Sequence, residues 1–139
     1  MVNVSVEEIM SEHLIKVKEE VSVGNVAHLL LRNRINGILV VKNSGENQLV
    51  GIFTTTDLLR LMNEAFAKKN KRVQALDKLS QTPVGKVASK NIISISKETT
   101  VIEALALMIK KNIHTIPVYE KGKVVGVIGK HDILNIVLN

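Results

Sequence analysis

The feature that most constrains this chain is an internal repeat, because one pattern written twice predicts two copies of one folded unit. At an offset of 78 positions, residues 21–35 (VSVGNVAHLLLRNRI) align with residues 99–113 (TTVIEALALMIKKNI). The second copy then has a shorter turn, the offset falls to 75, and residues 49–59 (LVGIFTTTDLL) align with residues 124–134 (VVGVIGKHDIL). Any fold proposed for the chain must therefore accommodate two similar halves.

The repeat divides the chain into three predicted parts. Residues 1–62 form the first repeat, residues 63–82 form a helical and charged linker, and residues 83–139 form the second repeat. Each copy is too short to bury a large core alone, so we expect the two repeats to pack together as one module.

Each repeat carries the same order of periodic segments. A short apolar segment typical of a strand comes first, and apolar residues at helical spacing, such as Val26, Leu29 and Leu30, follow it. Two apolar runs around a polar turn then predict a β-hairpin, and a second helix starts near Thr54 in the first copy and near Gly129 in the second. The sequence therefore predicts an α+β fold of tandem repeats. Each repeat would begin with a short lead-in helix and contain a small three-stranded sheet flanked by helices.

The composition excludes several kinds of site. The 139 residues include no cysteine, which removes disulfides, thiolate catalysis and cysteine-ligated metals. The four histidines form no HxH or HxxxH pair, so we expect no metal site. No nucleophile elbow, Walker loop or GxGxxG fingerprint occurs, so we expect no enzyme and no required cofactor. Without a bilayer-length apolar run or a signal sequence, we expect a cytoplasmic protein with no membrane partner.

The net charge of +6 leaves a second function open. Part of the excess lies in the stretch KKNKR, with Lys68, Lys69, Lys71 and Arg72. A positive field attracts polyanions, so a nucleic-acid-associated basic dimeric module is one alternative. The chain has only three aromatic residues, too few for a base-stacking platform. We favour a solvated helix face as the interpretation of this cluster.

The helices predict self-association. The stretches HLLLRN, LLRLMNEAF and ILNIVLN are apolar over a wider arc than a single core contact requires. A helix of that kind is usually covered on a second side. We therefore expect a homodimer whose interface is made of helices, with the two chains parallel or antiparallel.

The stretch TTTDLL, which opens the second helix of the first repeat, has two interpretations. Thr54 and Asp57 have the spacing of a capping box, in which each side chain satisfies an amide of the helix start. The second repeat keeps the carboxylate as Asp132 but has Gly129 in the capping position. An ionised carboxylate also accepts two hydrogen bonds, which matches a ribose diol, and a helix start suits a phosphate. We expect a capped helix start that is shared with a nucleotide.

The tandem endings GIFTTTD and GVIGKHD, with HTIPVYEKGKVVGV before the second, resemble a pair of cystathionine-β-synthase (CBS) domains, also called a Bateman module. The resemblance covers residues 4–138. It implies βαββα units related by pseudo-two-fold symmetry, an adenosyl-ligand cleft between the two repeats, and disc-like dimers. It also implies a non-catalytic regulatory function such as energy sensing. AMP, or else ADP, ATP or S-adenosylmethionine, would bind in the cleft, and an unidentified partner protein would be regulated in trans.

The resemblance further implies two binding sites, residue by residue. In the first site Asp57 holds the ribose, while Thr54 and Thr56 face the phosphates. In the second site Asp132 takes the place of Asp57. The other residues of the first site are Ala88, Ile92, Ile93, Ile113, His114, Thr115 and Pro117. The other residues of the second site are Met10, Leu14, Ile15, Ile35, Asn36, Gly37, Gly129, Lys130 and His131.

Departures from the family pattern favour the first site over the second. Gly129 lacks the hydroxyl of its counterpart, and His131 stands where the first repeat has a threonine. Nucleotide-binding members often carry an arginine just before the second strand, where this chain has Gly37 and Thr115. We therefore expect a monophosphate or an adenosyl thioether rather than a triphosphate. A structural dimer with vestigial nucleotide sites is the remaining alternative.

Overall fold

The computed structural model describes residues 3–138, with the backbone alone at residues 45–47. Contacts divide the chain into two compact units. The first unit runs from Ile15 to Ile92, and the second unit combines the residues up to Leu14 with those from Ile93 onwards. Each unit contains one three-stranded sheet with helices, so the predicted α+β fold of tandem repeats is confirmed. No helix among the described residues is long and apolar enough to cross a membrane.

The first unit follows the predicted order of elements. Its elements are β1 Lys16–Lys18, α1 Val23–Asn33, β2 Gly37–Lys42, β3 Gly45–Thr54, α2 Thr55–Phe66 and α3 Arg72–Gln81. The sheet has the order β1-β2-β3, with β1 parallel to β2 and β3 antiparallel to β2. The parallel pair needs a crossover, which α1 supplies, whereas the antiparallel pair is joined by a hairpin.

Local sequence explains where α1 begins and ends. Ser22 precedes the helix, and its hydroxyl oxygen accepts a hydrogen bond from the Asn25 amide at 3.2 Å. Arg34 ends the helix in the left-handed conformation, with φ of 53°. Between these ends, Val26 and Leu30 lie one turn apart and are buried. The helix is therefore fixed by its cap and by the apolar stripe that the sequence predicts.

The core of the first unit combines the sheet, α1 and the segment that follows α3. The central strand β2 buries its apolar residues from Ile38 to Val41 in succession, so both of its faces are covered. The buried members of the main cluster are Val17, Val23, Val26, Leu30, Ile38, Val40, Phe53, Val84 and Ala88.

The second unit repeats this plan. Its elements are β4 Ile95–Ser96, α4 Val101–Lys111, β5 Thr115–Glu120, β6 Lys123–Gly129 and α5 Lys130–Leu138. The sheet has the order β4-β5-β6, with β4 parallel to β5 and β6 antiparallel to β5. Lys121 and Gly122 turn the hairpin with φ of 51° and 77°. Two positive φ values in succession match the twist of the flanking strands, as hairpin turns require.

Each repeat opens with a lead-in segment that contains a short 3-10 helix, Val6–Glu8 in the first repeat and Val84–Lys86 in the second. Each lead-in segment packs in the unit that contains the opposite repeat. In the first unit, Ser89 and Ile52 exchange two backbone hydrogen bonds of 2.9 and 3.0 Å. In the second unit, Ser11 and Val127 exchange two backbone hydrogen bonds of the same lengths. The boundaries between the two compact units therefore fall after Leu14 and after Ile92. The division at residues 62 and 82 concerns the repeats and stays a prediction.

A glycine lies where each lead-in segment crosses the last strand of a sheet. A Cβ atom on Gly51 would lie 2.5 Å from the carbonyl oxygen of Ser89 and 3.2 Å from the Cβ atom of Ala88. A Cβ atom on Gly126 would collide with the side chain of Met10. The two equivalent glycines thus allow the same close approach, one to backbone and the other to a flexible side chain.

Candidate functional site

The start of α2 holds the first predicted site. Thr54 is the capping residue, and its Oγ1 accepts a hydrogen bond from the Asp57 amide at 3.1 Å. The Oδ2 atom of Asp57 accepts hydrogen bonds from the Thr54 amide and from the Thr54 hydroxyl, both at 2.9 Å. The predicted capping box is confirmed. It holds the largely buried Asp57 carboxylate, 13% exposed, in one orientation.

Arg60, which sequence reasoning missed, adds a positive charge to this helix start. Its Nη1 atom lies 3.3 Å from Asp57 Oδ1, the oxygen that the capping box leaves open. The spacing of three residues was the signal available in the sequence, because residues i and i+3 are neighbours on one helix face. The Arg60 side chain is half-exposed, and ion pairs of that kind contribute little to stability. Arg60 can therefore leave the carboxylate at a small cost.

The two carboxylate oxygens of Asp57 have different roles. Oδ2 belongs to the capping box, whose loss would expose amides at the helix start. Among the partners that the structure describes, Oδ1 contacts only the half-exposed Arg60 guanidinium. A ligand that carries hydroxyl donors can compete for Oδ1 without opening the capping box.

The start of α5 holds the second predicted site and is built differently. The Gly129 amide donates a hydrogen bond to Asp132 Oδ2 at 2.7 Å, but a glycine has no hydroxyl to complete a capping box. Burial raises the pKa of the Asp132 carboxyl above its usual value, while the Gly129 hydrogen bond and the neighbouring His131 lower it in part. The fold therefore supports the ionised form of Asp132 incompletely.

The residue that precedes each central strand lies beside a helix start of its own unit. The carbonyl oxygen of Asn36 accepts a hydrogen bond from the Thr55 amide at 2.8 Å. The carbonyl oxygen of His114 accepts one from the Lys130 amide at 3.1 Å. The resemblance assigned Asn36 to the second site and His114 to the first. In the structure, each of them contacts the helix start of the other predicted site.

The remaining predicted residues divide between the two units. The first unit holds Thr54, Thr56, Asp57, Ala88 and Ile92 of the first site, and Ile15, Ile35, Asn36 and Gly37 of the second. The second unit holds Ile93, Ile113, His114, Thr115 and Pro117 of the first site, and Met10, Leu14, Gly129, Lys130, His131 and Asp132 of the second. Each predicted residue set is therefore distributed over the two units, and it stays a prediction.

Two residues of the predicted binding sites have a structural role. Ala88 is buried in the core of the first unit. Met10 packs against the core of the second unit, with its side chain over Gly126. Core packing therefore accounts for an apolar residue at these two positions, whether or not a ligand also contacts them.

A candidate metal centre is not found in the described part of the chain. Its histidine, aspartate and glutamate side chains form no group of three or more that could hold an ion.

The doubled unit and its helix starts define the class of protein, a tandem α+β module with a carboxylate at the start of the closing helix in both copies. The family model of the CBS domain matches residues 6–64 and 84–139, which is most of the chain. The chain belongs to the CBS domain family and carries two CBS domains in tandem. The resemblance found in the sequence is thus confirmed.

Relatives of known sequence include both a protein of similar length and an enzyme. A CBS domain-containing protein of Dictyostelium discoideum is 29% identical over 136 residues, which cover 97% of this chain and 92% of the relative. An inosine-5′-monophosphate dehydrogenase of Staphylococcus epidermidis is 33% identical over 114 residues, which cover 82% of this chain and 20% of the enzyme. The chain therefore spans only a fifth of the length of that enzyme.

Solved structures of CBS domain pairs share the fold. A CBS-domain containing protein of Agrobacterium tumefaciens has a TM-score of 0.79 and 23% identity, with 96% of this chain and 98% of that chain covered. CBSX2, solved in complex with AMP, has a TM-score of 0.75 and 23% identity, with 97% and 96% covered. The CBS domain pair of MJ0100, solved with 5′-methylthioadenosine and S-adenosyl-L-methionine, has a TM-score of 0.72 and 25% identity, with 96% and 98% covered. CBS domain pairs are generally regulatory and non-catalytic.

Proposed function

We propose that this chain is a regulatory module that binds an adenosyl ligand at the start of α2 and regulates a partner protein in trans. The observation that carries the proposal is the geometry of Asp57. One carboxylate oxygen is held by the capping box, and the other contacts an arginine that can leave. Two solved CBS domain pairs support the ligand class, because one contains AMP and the other contains 5′-methylthioadenosine and S-adenosyl-L-methionine.

The chemistry of an adenosyl ligand fits this arrangement. Its ribose offers neighbouring hydroxyl groups, and an ionised carboxylate is an acceptor for both. A ribose hydroxyl that donates to Asp57 Oδ1 would replace Arg60 there. The released guanidinium could then pair with a phosphate, for which it is a strong donor. Thr56, exposed in the first turn of α2, adds a hydroxyl on the same helix start.

AMP is the ligand that we assign first. Gly37 and Thr115, the first residues of the two central strands, supply no cation. Arg60 is then the cation closest in sequence to Asp57 on α2, and a single guanidinium suits a monophosphate better than a triphosphate. ADP, ATP and S-adenosylmethionine are the other adenosyl ligands to compare.

Equivalent exposed side chains support the homodimer. Leu31 of α1 and Ile109 of α4 correspond in the repeat and are 79% and 76% exposed. Leu59 of α2 and Leu134 of α5 also correspond and are also exposed. A second copy of the chain is the partner that we propose for these surfaces, because a symmetric dimer buries the same patch on both subunits.

Regulation in trans requires a difference between two states of the module. A ligand shifts an equilibrium only by the difference in its affinity for the two states. We propose that AMP favours one arrangement of the dimer and that a partner protein binds this arrangement more tightly.

Isothermal titration calorimetry of the full chain with AMP tests the ligand and its position. The variants are Asp57→Asn and Asp132→Asn, because asparagine keeps an acceptor for the capping amide and removes the charge. We expect the AMP affinity to fall about tenfold or more in Asp57→Asn, the size of one hydrogen bond to a charged group. The matched Asp132→Asn variant should retain the wild-type affinity.

Two results would contradict this proposal. A loss confined to Asp132→Asn would place the ligand at the start of α5 instead. No binding of AMP, ADP, ATP or S-adenosylmethionine to folded wild-type protein would leave the structural dimer with vestigial sites as the better description.

A further inference from the structure

The turn between α2 and α3, together with the first residue of α3, carries a compact positive charge. Lys68, Lys69, Lys71 and Arg72 follow one another closely there, and all four are exposed. We call these four residues the basic turn. Among the described residues, no carboxylate lies within ion-pair distance of their side chains, whereas Arg60 and Lys97 do have acidic partners. The charge of the basic turn is therefore available to an external partner.

The basic turn belongs to the part of the chain that the repeat does not require. Residues 63–82 lie between the aligned copies and contain five basic and two acidic residues, so they account for half of the net charge of +6. The side of α3 that faces the unit is anchored, because Leu79 packs against the core. No charged residue is buried in the described part of the chain, so the cations of this segment have no interior charge to neutralise.

Two exposed apolar side chains flank the basic turn. Phe66, the last residue of α2, is 44% exposed, and Val73, the second residue of α3, is 78% exposed. The Arg72 guanidinium donates a hydrogen bond from Nε to the Phe66 carbonyl oxygen at 2.7 Å. This bond joins the end of α2 to the start of α3, so the cations and the two apolar side chains share one ordered turn.

We propose that the basic turn is a docking surface for a membrane that contains anionic lipids. A bilayer interface offers negative headgroups for the lysines and an apolar boundary for Val73 and Phe66. A nucleic-acid backbone would satisfy the charges alone, and Phe66 is the only aromatic residue in the segment. Peripheral docking needs no spanning helix. It departs from the expectation of no membrane partner, which rested on the absence of a bilayer-length apolar run.

Sedimentation with lipid vesicles tests this proposal on the full chain. The vesicles contain phosphatidylcholine alone, or phosphatidylcholine with about 30% phosphatidylserine, at low salt. We expect binding to the anionic vesicles only. The triple variant Lys68→Gln, Lys69→Gln and Lys71→Gln should lower the partition coefficient at least about tenfold, because each basic residue near an anionic surface adds to the attraction. Val73→Ser should lower it by a smaller factor.

Matched controls separate this site from the general charge of the protein. The triple variant Lys18→Gln, Lys42→Gln and Lys123→Gln removes the same charge from exposed positions elsewhere, and it should bind anionic vesicles nearly as the wild type does. Circular dichroism and the unfolding midpoint establish that every variant is folded.

Three results would overturn the proposal. They are equal binding to neutral and anionic vesicles, equal losses of binding in the two triple variants, and no binding to either kind of vesicle.

Binding of a fluorescent single-stranded oligonucleotide tests the alternative that the basic turn contacts nucleic acid. If the wild type binds it more tightly than the anionic vesicles, and the basic-turn variant loses that binding, the surface is a nucleic-acid contact instead.

Discussion

The starts of α2 and α5 occupy equivalent positions in the two repeats, yet they stabilise their carboxylates differently. At α2, Thr54 and Asp57 form a reciprocal capping box, and Arg60 donates a hydrogen bond to the second carboxylate oxygen of Asp57. At α5, the Gly129 amide donates a hydrogen bond to Asp132, but glycine has no hydroxyl to complete the cap. Burial there raises the pKa of the Asp132 carboxyl. The comparison teaches that a retained carboxylate does not imply a retained environment, because the neighbours decide whether its charge is supported.

The largest effect should come from the glycines that the lead-in segments cross. Gly51→Ala should lower the free energy of unfolding by about 2–3 kcal/mol, because the new Cβ atom meets the Ser89 carbonyl oxygen of a hydrogen-bonded backbone. Gly126→Ala should cost less, about 1 kcal/mol, because the flexible Met10 side chain can move. Urea denaturation measures both. Equal losses would show that the two crossings are equally rigid.

Gly129→Ala is the control for these two substitutions. A Cβ atom there would lie 3.5 Å from the nearest heavy atom, the His114 carbonyl oxygen, which is ordinary van der Waals contact. We expect a change in the free energy of unfolding within about 0.5 kcal/mol.

The next effect concerns ligand selectivity at α2. Arg60→Gln should lower the affinity for AMP about tenfold and leave the affinity for 5′-methylthioadenosine unchanged or higher. The reason is that a thioether lacks the phosphate for which the released guanidinium is a partner, while Asp57 Oδ1 becomes easier to reach. Calorimetry with both ligands measures the ratio of affinities. Arg32→Gln, an exposed arginine on α1, is the matched control, and an unchanged ratio in Arg60→Gln would remove Arg60 from the site.

A smaller effect should follow from exchanging the caps. Thr54→Ala should lower the free energy of unfolding by about 1 kcal/mol, because a helix amide loses its acceptor. Gly129→Thr should raise it by a few tenths of a kcal/mol, roughly the difference between these residue types at a helix cap. Urea denaturation of each variant is the measurement. Thr56→Ala serves as the control at an exposed position, and a loss there as large as in Thr54→Ala would contradict the role of the capping box.

The smallest effect should be a pH dependence that comes from Asp132. Burial raises the pKa of the folded state above the usual value of 3.8, so the folded protein binds this proton more tightly than the unfolded chain does. The resulting stabilisation is complete below the usual pKa and is lost as the pH rises through the raised value. Over that window the wild type should lose stability relative to Asp132→Asn, which cannot titrate there. Urea midpoints measured from acid to neutral pH would show it, and a difference of the opposite sign would contradict the burial effect.

Much of the fold could be predicted because the local patterns are strong. The apolar spacing around Val26 and Leu30 identified a helix, and the polar turn at Lys121 and Gly122 identified a hairpin. The capping box at α2 followed from residue spacing alone. Arg60 was missed because an arginine three residues after an aspartate is common on exposed helices and indicates no particular function.

The sequence by itself determined the two repeats, the order of their elements and the position of each carboxylate at a helix start, because these depend on periodicity and on neighbours in the chain. Only the tertiary structure decided which unit each lead-in segment joins. Ser11 and Ser89 are equivalent in the repeat, and so are the strands that they bridge. Either pairing satisfies the same local hydrogen bonds, so the choice depends on long-range packing. The raised pKa of Asp132 was decided in the same way, since burial is a property of the folded unit.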